Sequence, residues 1–203
     1  MAIVINGSGT VTGISVGGLP DGIVDSGTLA TNSVDSAELI DGAVDASHLA
    51  GLTYADMPAG TIIQVVSASH SGSAISTSSD SNVTTGLSLT ITPKYANSHI
   101  WLTLNGGTQD YGTDNLNGVT SFYRNKDGAG WNSLGYVDAL HGNDGSEYSP
   151  HSGQLFDTTH NSTASIEYAV YMRSRSSVGT YYFHQHTGGI SGKIEFTAME
   201  VKQ

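Results

Sequence analysis

Two histidines spaced two apart, His184 and His186, stand in the run TYYFHQH and are the residues best placed to do chemistry. On a β-strand alternate side chains share a face, so both imidazoles would point one way and Tyr181 and Phe183 the other, toward a core. Near a threefold axis, two layers of such histidines could surround an octahedral iron, nickel or zinc ion. Without a metal the pair would form a polar sheet face or a subunit contact, and a third ligand would have to come from elsewhere. Cysteine is absent, which excludes thiolate nucleophiles, zinc knuckles and iron-sulfur clusters and leaves nitrogen and oxygen as the only metal ligands. No cofactor is expected.

Aromatic side chains in polar surroundings are the next candidates, because a ring face stacks on sugar C–H groups while carboxylates and amides take the hydroxyls. The run DYGTDNLNG, from Asp110 to Gly118, offers Tyr111 and Asp114 in this setting. Its oxygens and turn glycine could also hold calcium. The closing Glu and the ligand spacing of an EF-hand loop are missing, however, so the run reads as a solvated hairpin loop. From 126 to 160 the chain reads as a long irregular connection, rich in Gly and Ser, carrying Trp131, Tyr136, His141, Tyr148 and His151. Such connections usually carry contacts rather than core. Tyr111, Asp114, Trp131 and Tyr136 are therefore the expected carbohydrate-binding residues, with a partly buried core position as the alternative for Trp131.

Catalysis finds less support. Glycan hydrolysis needs two carboxylates roughly 5 to 9.5 Å apart, one with a raised pKa. Asp138, Asp144, Glu147 and Asp157 lie near the irregular stretch, and no local motif pairs any two of them. Gly13-Ile-Ser15-Val-Gly17 spells GxSxG, but a nucleophile elbow needs a helix after the turn, and here Gly18 and Pro20 follow. The expectation is a protein that is not an enzyme.

The elements that must carry these residues are legible in composition and charge. The chain has 203 residues, a net charge of −11 from 7 basic and 18 acidic side chains, 26 glycines and only 12% charged residues. That balance argues against nucleic acid and anionic membrane surfaces as partners, and the composition favours strands and turns over solvated helices. The start, MAIVINGSGTVTG, lacks a basic n-region, and no apolar stretch approaches 18 residues. Synthesis in a cytoplasm without membrane insertion is expected.

Residues 1–57 hold seven acids and no Lys or Arg, whereas 58–203 hold eleven acids and all the bases. Within 21–50 three decapeptides repeat, DGIVDSGTLA, TNSVDSAELI and DGAVDASHLA, placing Val24, Val34 and Val44 and Leu29, Leu39 and Leu49 at fixed positions. Asp35 to Glu38 has the spacing of a capping box. One decapeptide cannot enclose a core, so neighbouring copies or chains must cover these side chains, and self-association follows. After Pro58, strand-forming runs recur at 61–68, 87–92, 97–105, 119–124, 165–173, 180–186 and 193–201, with weaker ones near 131–137 and 153–157. In SIEYAVYMR, Ile166, Tyr168, Val170 and Met172 share one face against Glu167, Ala169, Tyr171 and Arg173. The predicted fold is all-β, a β-sandwich or jelly-roll-like head preceded by a short repeat-containing stalk.

Several segments, INGSGTVTGISVGGLPDG, VDSAEL, DGAVDASHLA, AGTIIQVVSAS, TGLSLTITPKYANSHIWLTLNG and SGKIEFTAMEV, resemble tail-fibre and related virion proteins of tailed phages, particularly phages of aquatic bacteria. The resemblance implies a homotrimer located in the virion and made in the host cytoplasm. It implies an attachment segment at 1–20 that meets other virion proteins, a trimeric stalk at 21–57 and a head at 58–203 that binds a bacterial surface glycan. Three decapeptides make a short shaft, so a short tail fibre is the first reading. A capsid decoration, cement or head-fibre protein is the second.

Leu39→Asp would place an unpaired charge where the repeat needs an apolar contact between chains. The expected outcome is a trimer that dissociates at lower denaturant than the parent; unchanged trimer stability in sedimentation would take Leu39 away from the interface.

Overall fold

The computed structural model describes residues 4–5, 11–12, 44, 49–111, 117–141, 147–175, 179–184 and 192–203. The chain divides into two compact units, Met1–Leu52 and Thr53–Gln203. In the first, β1 (Val4–Ile5) pairs antiparallel with β2 (Val11–Thr12). Of the repeat positions, Val44 and Leu49 are exposed; Val24, Leu29, Val34 and Leu39 lie outside the described residues.

The second unit opens on a single 3-10 turn, Tyr54–Asp56, closed by a capping box. The Thr53 hydroxyl accepts from the Ala55 amide, and the Thr53 amide donates to Asp56 at 2.7 Å. Ten strands follow: β3 (Ile62–His70), β4 (Ile75–Thr77), β5 (Val83–Ile91), β6 (His99–Tyr111), β7 (Asn117–Lys126), β8 (Trp131–His141), β9 (Glu147–Asp157), β10 (Ile166–Ser174), β11 (Tyr181–His184) and β12 (Ile194–Val201). No helix among the described residues is long and apolar enough to cross a membrane.

One sheet runs β5-β10-β7-β8. The other runs β3-β12-β6-β11-β4, with β9 on the remaining edge of β6. Setting aside the short β4 and β11, the eight long strands fall into β3-β12-β6-β9 and β5-β10-β7-β8, the double Greek-key wrapping of a jelly roll. Every pairing is antiparallel, so each strand needs only one apolar face. Ile166, Tyr168, Val170 and Met172 of β10 and Phe122 of β7 pack inward against Ile100, Leu102 and Leu104 of β6 and Phe196 of β12. The rings of Phe122 and Phe196 meet across the sheets at 5.1 Å.

The sequence expectation of a long irregular connection over 126–160 is corrected here, because the weak strand runs near 131–137 and 153–157 extend into two eleven-residue strands, β8 and β9, that occupy most of it. Polar composition weakened their signal. β8 is bulged at Leu134 and Val137, on either side of Gly135 (φ 122°) and Tyr136, which breaks its alternation, and β9 pairs along only one side, so Pro150 costs no ladder bond. Asp110 and Tyr111, expected in a loop, close β6 instead, and Asp110 is buried. A bulge in β6 depends on Gly106 (φ 82°) and Gly107 (φ 65°), where a Cβ would strike the Lys193 carbonyl and the Ile194 side chain.

Buried polar groups tie the sheets together at both ends. At one end Asp157 of β9 accepts from Arg124 of β7 at 2.7 Å and from the Tyr168 hydroxyl of β10 at 2.8 Å. At the other, Asp138 of β8 meets His151 Nδ1 of β9 at 2.8 Å and accepts from Gln109 of β6 at 3.1 Å. Gln109 in turn accepts from Tyr181, whose hydroxyl lies 3.1 Å from Thr120 of β7. A third carboxylate, Glu200, is buried on β12 and accepts from the amides of Lys94 and Tyr95 and the hydroxyl of Ser98, fixing the β5–β6 connection.

Burial works to raise the Asp157 carboxyl, and the Thr159 amide, Arg124 and Tyr168 outweigh it, holding it below its usual value. A carboxyl depressed in the folded state gives stability that is full above the unfolded value near 3.8 and is lost as pH falls through the lower folded value. Asp157→Ala is expected to cost about 3 kcal/mol at neutral pH by stranding Arg124 and the Tyr168 hydroxyl. It should also flatten the acid limb of a denaturation profile, and an unaltered acid limb would take Asp157 out of that role.

Candidate functional site

The histidine pair is where the structure departs furthest from the sequence expectation of a polar face. Tyr181 and Phe183 are buried as expected, but His184 is fully buried as well. The register of β11 against β4 shifts between Tyr182 and His184. The imidazole then sits 3.4 Å from where a Cβ of Gly107 would stand and edge-on to His70 at 5.2 Å. His186 lies outside the described residues, and among those residues no group of three His, Asp or Glu side chains is placed to hold a metal.

Two of the four candidate carboxylates are committed to the fold. Asp157 and Asp138 are consumed by the ties just described. Burial works to raise the Asp138 carboxyl, but the hydrogen bond and charge of His151, with the Ser152 and Ala139 amides, hold it low, the opposite of a general acid. Asp144 and the Glu147 side chain lie outside the described residues.

The outward face of the four-stranded sheet gathers aromatic rings. Register places Tyr136 of β8 opposite Ser121 of β7, and Ser121 opposite Tyr171 of β10. The strand period of two puts Tyr123 on the same face as Ser121, and Arg173 on the same face as Tyr171. Tyr123 and Tyr171 stack at 4.0 Å with planes 29° apart, and Trp131 leans on Tyr171 at 5.8 Å. The Arg173 guanidinium lies 4.9 Å from the centre of the Tyr136 ring and donates to its hydroxyl. Asn82, at the entry to β5, donates to the Tyr123 hydroxyl at 2.8 Å. Tyr136 is 60% exposed and Trp131 37%. Burial first, then the neighbouring Tyr123 and Glu167, push the Tyr171 phenol up, so it stays a neutral hydroxyl at physiological pH.

Trp131 and Tyr136 therefore do belong to one surface, but strands rather than loops present them. The Tyr111 side chain and Asp114 lie outside the described residues. Sequence reasoning missed Tyr123 and Tyr171, although the alternation of β10 already put Tyr171 on the face opposite the core.

The outward face of the other sheet has a different character. Register aligns Val65 of β3, Met199 of β12, Trp101 of β6 and Phe156 of β9 in one row. Trp101 and Phe156 stack at 5.4 Å and 9°. Val65 and Phe156 are exposed, while the Trp101 indole N–H is enclosed with no acceptor.

No protein-family model matches the chain, and no curated protein matches it. Similar solved structures include that of the infectious bursal disease virus Gt strain, with 13% identity over 71% of this chain and a TM-score of 0.32. Another is of T=1 particles derived from a mutant VP2 protein of infectious bursal disease virus, with 13% identity over 70% and a TM-score of 0.33. This chain spans 37% of the length of each. Superpositions this loose carry no argument about fold or role, which rest on the chain itself.

A surface role for the rings separates them from the core in a thermal melt. Tyr136→Ala should shift stability by no more than about 0.5 kcal/mol, as an exposed position does. Phe122→Ala should cost about 3 to 5 kcal/mol. A Tyr136→Ala protein as crippled as the Phe122→Ala protein would make the ring part of the core.

Proposed function

We propose that the chain is a non-enzymatic structural protein of a phage particle, a homotrimer whose jelly-roll head binds a bacterial surface glycan, most simply as a short tail fibre. The observation that carries the reading is the group of partly exposed rings on the outward face of the four-stranded sheet, where Tyr123 and Tyr171 stack, Trp131 leans on Tyr171 and Tyr136 stands beside Arg173. A saccharide ring offers an apolar C–H face and a rim of hydroxyls, and this surface offers ring faces bordered by phenol, amide and guanidinium groups. The decapeptides, whose apolar residues one chain cannot cover, support the trimer, and the resemblance of the quoted segments to tail-fibre proteins supports the virion location.

The second reading, a capsid decoration protein, is favoured by the row of Val65, Met199, Trp101 and Phe156. An exposed apolar row with an enclosed, acceptorless indole N–H suits a surface committed to neighbouring protein rather than to water.

Light scattering on the full chain, with adsorption to a panel of bacterial cells, tests the proposal. A trimer that adsorbs, and whose adsorption falls at least tenfold on Trp131→Ala or Tyr171→Ala while the trimer persists, is the expected result. A stable monomer at micromolar concentration would remove the trimer. A trimer that adsorbs to no cells but binds purified capsids would move the assignment to decoration.

A further inference from the structure

We infer that the aromatic platform takes an acidic saccharide, one whose ring bears a carboxylate, with Arg173 as the group that pairs with it. The inference rests on the glycan-binding reading and adds the charge of the sugar and the residue that selects it.

Charge makes the case. Among the seven basic side chains of the chain, Lys126 and Lys202 donate to backbone carbonyls and Lys94 lies over the Tyr54 ring. Arg124 is paired with Asp157, and Lys193 with Glu195. Arg173 meets no carboxylate among the described residues. Its contacts are the Tyr136 ring and hydroxyl, together with a long hydrogen bond of 3.4 Å to the Asp80 carbonyl. A guanidinium carries five N–H donors in a planar fork matched to a carboxylate, so these contacts leave donors over, and Nε is enclosed without a partner.

The groups around it point the same way. Ser121 Oγ and Asn82 Oδ1 are also enclosed without partners, so three orphaned polar atoms, Nε among them, belong to this one face. Native interiors rarely leave such atoms unsatisfied, and these lie on the same face as the rings and the guanidinium. The rings fix the geometry of the occupant. Trp131, Tyr171 and Tyr123 give a stacking surface for a sugar's C–H face, and Arg173 stands beside Tyr171 on the same strand face, two residues along. A sugar stacked on Tyr171 can thus direct an equatorial carboxylate to the guanidinium, where a two-pronged ion pair forms.

The test uses the full-length protein and a panel of purified bacterial surface polysaccharides. Each acidic polysaccharide is paired with its carboxyl-reduced form, which keeps the sugar ring and loses only the charge. Binding is read by calorimetry. The expected result is that bound polysaccharides are acidic and that reduction weakens binding at least tenfold. Arg173→Gln should erase the difference between the native and reduced forms and Arg173→Lys restore part of it, with neither moving the melting temperature by more than a degree or two. Tyr171→Ala should lose both forms. If the reduced form binds as well as the native one, or if Arg173→Gln leaves the preference intact, the acidic-sugar inference is overturned while glycan binding stands. If no polysaccharide binds, both fall together.

Discussion

The two sheets of this head are held in register by carboxylates that cross between them, and the outward surfaces depend on that constraint. Asp157 reaches from β9 to Arg124 on β7 and to Tyr168 on β10. Asp138, through His151 and Gln109, ties β8 to β9 and β6 at the opposite end. Apolar burial alone would let the sheets slide, because the hydrophobic effect is not directional. A hydrogen-bonded carboxylate has few acceptable positions. Arg124 and Tyr123 are consecutive residues, as are Tyr136 and Val137 just before Asp138, so the ties also fix the strands that carry the rings.

How much of this was legible in the sequence follows from the physics of strands. β10 was readable because alternation with a period of two is a strong signal, and its burial follows that alternation except at Ala169, while β12 alternates in burial with the charged Glu200 on its inward face. β8 and β9 gave only short, weak runs in the sequence, because bulges, glycines and Pro150 interrupt the period without interrupting the pairing. β4 has only three residues, too few for any pattern. The jelly-roll order itself lies in long-range pairings such as Ile194 with Gly106, which no local spacing encodes.

The candidate site was half legible for the same reason. Trp131 and Tyr136 stood out as aromatics in a polar stretch. Tyr123 and Tyr171 were already assigned to strands, where aromatic residues are ordinary, and only the cross-strand register shows that all four share one face. Of the histidine pair only His184 is described, and it departs from the expected polar face for another reason. Two imidazoles at a spacing of two made a sharp local signal, but one register shift in β11 sends His184 into the interior beside His70.

Placing the rings on strands constrains how such a surface can evolve. A loop tolerates an added or lost residue by changing length, and its contacts drift freely. Within β10 a single inserted residue would swap the two faces beyond it, turning Arg173 toward Phe196 and Met172 toward water. Diversification of this face must therefore proceed by exchange of one side chain for another at fixed spacing. Related proteins with different partners should keep strand lengths constant across β7, β8 and β10 while the identities at 123, 131, 136, 171 and 173 vary, a pattern of substitution without indels.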